Sequence, residues 1–86
     1  MEYEVTFTKW QEYANGKTVV SVSPNTRTLT EETLKGYKKS NKALGFKYLY
    51  RCKDAYGHWS SVYKRDIESL STKESKVFHI ITIAKL

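Results

Sequence analysis

The chain has 86 residues and a formal net charge of +6, with 40% hydrophobic and 14% aromatic residues. That suits one domain (1–86) with one modest core and excludes a disordered or fibrous chain. No run reaches the ~18–20 apolar residues of a membrane span; the acidic start Met1-Glu2-Tyr3-Glu4 does not read as a signal peptide, and the lone Cys52 excludes an internal disulfide framework and fits a reducing, cytoplasmic setting.

Residues 3–23 read as a β-hairpin. Val5, Phe7, Val20 and Val22 alternate with polar residues around Ala14-Asn15-Gly16-Lys17. Asn-Gly favours a two-residue type I′ turn, with both central residues at φ > 0. That register sets Val20 opposite Gln11 and Val22 opposite Lys9, and leaves Trp10 on the other face unless a bulge turns it back. Pro24 marks a turn-rich connection.

Residues 31–44 read as a helix. Thr30 is its N-cap, with Glu31 and Glu32 in the first turn and Leu29 and Leu34 placed for a hydrophobic staple. Leu34, Tyr37, Asn41 and Leu44 make one inner stripe, and Lys38, Lys39 and Lys42 fall off it. Gly45 suits the stop, with Phe46 packing back.

Residues 46–65 read as a second hairpin, turning at Asp54-Ala55-Tyr56-Gly57 with Gly57 left-handed. Strict alternation sets Phe46, Tyr48, Tyr50 and Cys52 on one face and Lys47, Leu49, Arg51 and Lys53 on the other. Arg51, Lys53 and Lys64 then share a face. Residues 66–70 form a connection with room for one helical turn. Residues 77–84 are apolar on both faces and read as a central or doubly covered strand; left at an edge, such a strand invites pairing with a second copy, so monomer and homodimer both stay open. The order ββαβββ predicts an α+β fold, a mostly antiparallel sheet with one helix packed on it.

Charge concentrates in the middle of the chain. Residues 35–65 hold nine bases (Lys35, Lys38, Lys39, Lys42, Lys47, Arg51, Lys53, Lys64, Arg65) against one acid, Asp54, a net +8; residues 1–34 have three bases and five acids, a net −2, and residues 66–86 balance at three each. The same segment carries seven of the twelve aromatics. Tyr48, Tyr50, Trp59 and Tyr63 are read mainly as core, because Leu and Ile are scarce; exposed, they would stack on bases.

Nothing points to catalysis. His58 sits in an expected turn, His79 reads as a half-buried strand histidine, and Cys52 as a buried small hydrophobe among tyrosines. No zinc-ligand spacing, phosphate loop or dinucleotide fingerprint occurs, so no metal or cofactor is expected. The expectation is a non-enzymatic binding protein. It contacts nucleic acid, DNA or RNA, through Lys38, Lys39, Lys42, Arg51, Lys53 and Lys64, with Tyr56 at the hairpin tip.

The run Tyr48-Leu49-Tyr50-Arg51-Cys52-Lys53-Asp54-Ala55-Tyr56-Gly57-His58-Trp59 resembles the first hairpin of the three-stranded DNA-binding domains of phage and transposon tyrosine integrases. The likeness covers this hairpin alone. In that family the helix follows the sheet; here it precedes the hairpin, and an apolar strand ends the sequence. A second reading fits the same residues: a basic, aromatic face docking on an acidic protein surface. Small phage or mobile-element proteins that inhibit host defence enzymes, such as the anti-CRISPR proteins, share this format.

Overall fold

Thr30 marks the point where sheet becomes helix. In the computed structural model, which describes residues 2–20, 25–53 and 57–86, the elements are β1 (Glu2–Tyr13), β2 (Thr18–Val20), β3 (Asn25–Thr30), α1 (Glu31–Ala43), β4 (Lys47–Lys53), β5 (Trp59–Asp66) and β6 (Ser75–Lys85), with one 3₁₀ turn at Glu68–Leu70. The fold is α+β and the order is as expected. Residues 25–30 add a strand segment immediately before the helix.

The helix ends obey local chemistry. Thr30 Oγ1 accepts from the Thr33 N–H at 3.3 Å, satisfying one donor the helix itself cannot. At the other end the Phe46 N–H donates to Asn41 O at 3.0 Å and the Gly45 N–H to Lys42 O at 3.1 Å, with Gly45 at φ +97°. This is the Schellman stop, and glycine takes its left-handed position without a Cβ penalty. Leu29 and Leu34, the expected staple pair, are both buried.

All strand pairs are antiparallel, in the order β2-β1-β6-β5-β4, with β3 also on β1. Since β6 takes one edge of β1, β2 and β3 share the other as two segments of one border. The apolar β6 therefore lies in the middle of the sheet, with β1 along one edge and β5 along residues 78–84 of the other, and not at the border where a second copy could pair. Among the described residues no helix is long and apolar enough to cross a membrane.

The first turn differs from the expected type. Trp10 stands opposite Val20 and Gln11 opposite Val19, one residue away from the register of a two-residue loop. Among the described residues only glycines have positive φ, so Asn15 is not left-handed and Gly16, at +87°, is. The Gly16 N–H donates to Tyr13 O at 3.0 Å, and the Lys17 N–H to Asn15 Oδ1 at 3.1 Å. The asparagine side chain thus stabilises a three-residue loop ending in a left-handed glycine. Trp10 stays on the face away from the helix, stacked on Phe78 at 6.0 Å between centroids, with its Nε1 donating to Thr8 Oγ1 at 2.8 Å. The expected contact of Val22 with Lys9 and the turn at Pro24 lie outside the described residues.

The helix lies over β3 and β1. Beneath it Val5, Leu29, Leu34, Phe46, Ile81 and Ile83 form the core, with Tyr3, Phe7, Tyr37 and Tyr63 packed around them. The core is thus mainly aliphatic, and the expectation that the middle aromatics build it fails for Tyr48, Tyr50 and Trp59, which are 58%, 52% and 48% exposed. Width explains this. A helix about 10–12 Å across covers two or three strands spaced about 4.8 Å apart. The sheet is five strand positions wide, so β4 and part of β5 stay bare.

Candidate nucleic-acid interface

Rows of side chains run from the core out to this bare half. Phe7, Ile81, Tyr63 and Tyr48 stand opposite one another across β1, β6, β5 and β4, and Val5, Ile83, Ser61 and Arg51 form the next row. Both rows face the helix. Their inner members Val5, Ile81 and Ile83 are buried; their outer members, Tyr48 and Arg51, are exposed.

Two adjoining clefts lie between α1 and the β4–β5 ribbon. The first, about 580 Å³, has Lys38, Asn41 and Lys42 along its helix wall, Phe46, Tyr48, Tyr63 and Ile83 as apolar lining, and Lys47 at its border. The second, about 550 Å³, is lined by Lys38, Arg51, His58, Trp59 and Lys85 among others, and meets the first at Lys38 and Ile83. No Asp or Glu side chain lines either cleft among the described residues. The charged side chains that line the clefts among the described residues are thus basic, and walls of low dielectric focus the field of such charges.

Helical geometry selects which lysines take part. At about 100° per residue, Lys38 and Lys42 lie on the flank of α1 beside the inward Leu34, while Lys39 lies about 140° away from it. Lys39 is accordingly exposed and lines neither cleft. The opposite flank carries Tyr37, which has the Arg27 guanidinium 5.0 Å from its ring centroid.

The ribbon contributes cations already held against rings. The Arg51 guanidinium lies 5.0 Å from the Trp59 centroid and Lys53 Nζ lies 5.9 Å from it, all three residues being on one face of the sheet. Such contacts hold the charged groups against the ring while leaving them wet. Tyr48 and Tyr63 form an edge-to-face pair, 5.7 Å between centroids at 74°.

Lys64 corrects the expectation that it shares a face with Arg51 and Lys53. A bulge at Leu49 shifts the register, so that Tyr48 pairs with Tyr63 but Tyr50 with Val62. One extra residue turns everything after it to the opposite face relative to the residues before it. Tyr48, Arg51 and Lys53 therefore look toward the helix side, and Tyr50, Cys52 and Lys64 toward the other, where Cys52 is exposed and not buried as expected. There Lys64 Nζ sits 4.4 Å from the Phe78 ring centroid and 3.6 Å from Asp66 Oδ1. Of the seven expected contact residues, Lys38, Lys42 and Arg51 line the clefts, Lys53 joins them through Trp59, Lys39 and Lys64 point elsewhere, and Tyr56 lies outside the described residues. Asn41 and Lys85 join the site, although helical spacing predicts Asn41 on the inner stripe and no sequence pattern marks Lys85. A polar residue on an otherwise apolar helix stripe was the available sign for Asn41.

The two histidines differ in setting. His58 is exposed beside the second cleft. His79 is half-buried, as expected for a strand histidine, and its pKa is lowered by burial first and then by the charges of Arg65 and Lys9. Among the described residues no group of three or more His, Cys, Asp or Glu side chains is placed to hold a metal ion. No family model, curated protein or solved structure matches the chain.

Proposed function

We propose that this protein binds nucleic acid in the double cleft between α1 and the β4–β5 ribbon. The observation that carries this reading is the lining itself: among the described residues Lys38, Lys42, Lys47, Arg51 and Lys85 surround exposed rings, with no Asp or Glu side chain beside them. Cations so placed release counterions from a phosphate backbone, a gain that needs no sequence readout. The rings add contacts that a purely electrostatic patch lacks.

The test is fluorescence anisotropy of labelled DNA and RNA oligonucleotides, titrated at several salt concentrations. Neutralising three to four phosphates of a single strand gives a log–log salt slope of about −2 to −3. Absence of binding at low salt would overturn this reading and pass the same cations to an acidic protein partner. A salt-independent affinity would overturn it equally, since phosphate contacts cannot behave that way.

A further inference from the structure

We propose that the cleft takes single-stranded nucleic acid, with one unpaired base seated against Tyr48 and its flanking phosphates on Lys38, Lys42 and Arg51. This inference rests on the nucleic-acid reading above and goes further by choosing between strand and duplex. In a duplex the base faces are buried in the stack, so an aromatic ring outside can meet only sugars, phosphates and base edges. In a single strand the faces are open, and every base has one.

The first cleft has what an unpaired base needs. Tyr48 is 58% exposed. Its edge-to-face contact with Tyr63 engages at most one face of its ring, so at least one is left by that contact for a base. The surroundings are apolar, Phe46 and Ile83 among them, and the volume of about 580 Å³ lies within the ~300–1,000 Å³ range of sites that take drug-sized molecules. Opposite, on the helix wall, stands Asn41. It is half-buried, and among the described residues its side-chain amide makes no hydrogen bond. A carboxamide offers both a donor and an acceptor to a base edge.

The neighbouring nucleotide has a second platform. The Arg51 guanidinium lies over Trp59 in the adjoining cleft, and a planar guanidinium is itself a surface for base stacking. Lys38 borders both clefts, which suits a cation bridging the phosphate between two stacked bases. Tyr48 and Arg51 stand in adjacent rows, opposite Tyr63 and Ser61 two residues apart on β5, which is about 7 Å along a strand, so the line of platforms follows the ribbon.

The experiment uses one sequence both as a ten-nucleotide single strand and as the stem of a hairpin duplex, each labelled, at the same salt. The single strand is expected to bind at least 10-fold more tightly. Tyr48→Ala is expected to weaken single-strand binding by about 5- to 150-fold and to leave duplex affinity and the salt slope unchanged, while Tyr48→Phe retains the ring and binds like the parent. Trp10→Phe leaves Trp59 as the sole tryptophan, and its fluorescence is expected to be quenched by the single strand. Circular dichroism confirms that each variant is folded. Equal affinity for strand and duplex, with Tyr48→Ala silent in a folded protein, would overturn the single-strand assignment while the nucleic-acid reading stands. Binding to neither probe would overturn both.

Discussion

Arg65 Nη2 lies 3.1 Å from His79 Nδ1, and Nη1 of the same guanidinium donates to Leu44 O at 3.2 Å. A guanidinium only donates, so His79 Nδ1 must accept and the ring is neutral, with its proton on Nε2. The pair therefore links the C-terminal end of α1 to the central strand. The Arg65 guanidinium also lies 4.8 Å from the Phe46 centroid, and a cation beside the last carbonyls suits the negative end of the helix. Among the described residues its Nε is buried without a partner, which offsets part of that gain.

This geometry sets a pH dependence. Protonating His79 would point an N–H at Arg65 and place a third cation in the row of Lys9, His79 and Arg65. Burial, followed by the charges of Arg65 and Lys9, lowers its pKa below the ordinary value of 6.5. The unfolded chain then binds more protons than the folded one at mildly acidic pH, so stability falls as pH drops through about 6.5 and levels off below the folded-state pKa. Urea denaturation between pH 8 and pH 5 is expected to show this loss. His79→Gln keeps an acceptor for Arg65 without the titration and is expected to flatten the curve; parallel curves would show that His79 is not the source.

Charge reversal separates the cleft from the rest of the basic surface. Lys42→Glu with Arg51→Glu, and Lys39→Glu with Lys73→Glu, change the net charge by the same four units. Only the first pair lies in the clefts. It is expected to abolish measurable oligonucleotide binding at moderate salt and to reduce the salt slope by about 1.4, one single-strand increment of ~0.7 for each lost phosphate contact. The second pair is expected to cost only a few-fold. Equal losses in the two folded variants would mean that net charge, and not this site, governs binding.

Stability and binding are expected to divide between two residues of one cross-sheet row. Ile81 is 2% exposed at the centre of the core, and Ile81→Ala is expected to cost about 2–5 kcal/mol through lost burial and the cavity left behind. Tyr48, at the outer end of the row, is 58% exposed. Tyr48→Ala is expected to cost less than about 1 kcal/mol, measured by the same denaturation curves. A large loss for Tyr48 would return it to the structural core and remove the base platform.

The local pieces follow from short stretches of the chain. Thr30, Gly45 and Phe46 bound the helix, and Gly57 is left-handed as expected, at φ +85°. Each follows from the hydrogen bonds and φ preference of a few neighbouring residues, as does the two-sided apolar pattern that marks β6. The concentration of bases in residues 35–65 was legible too. Where those bases point depends on the folded sheet. The three-residue loop at Asn15-Gly16 and the bulge at Leu49 each move a register by one position, and one position decides the face on which a side chain emerges. The second of these parts Lys64 from Arg51 and Tyr50 from Tyr48. Likewise no local signal states that one narrow helix covers β3 and β1 and leaves β4 bare. Coverage and register are settled by pairings between distant segments, and they turned residues that read as core into the open lining of a cleft.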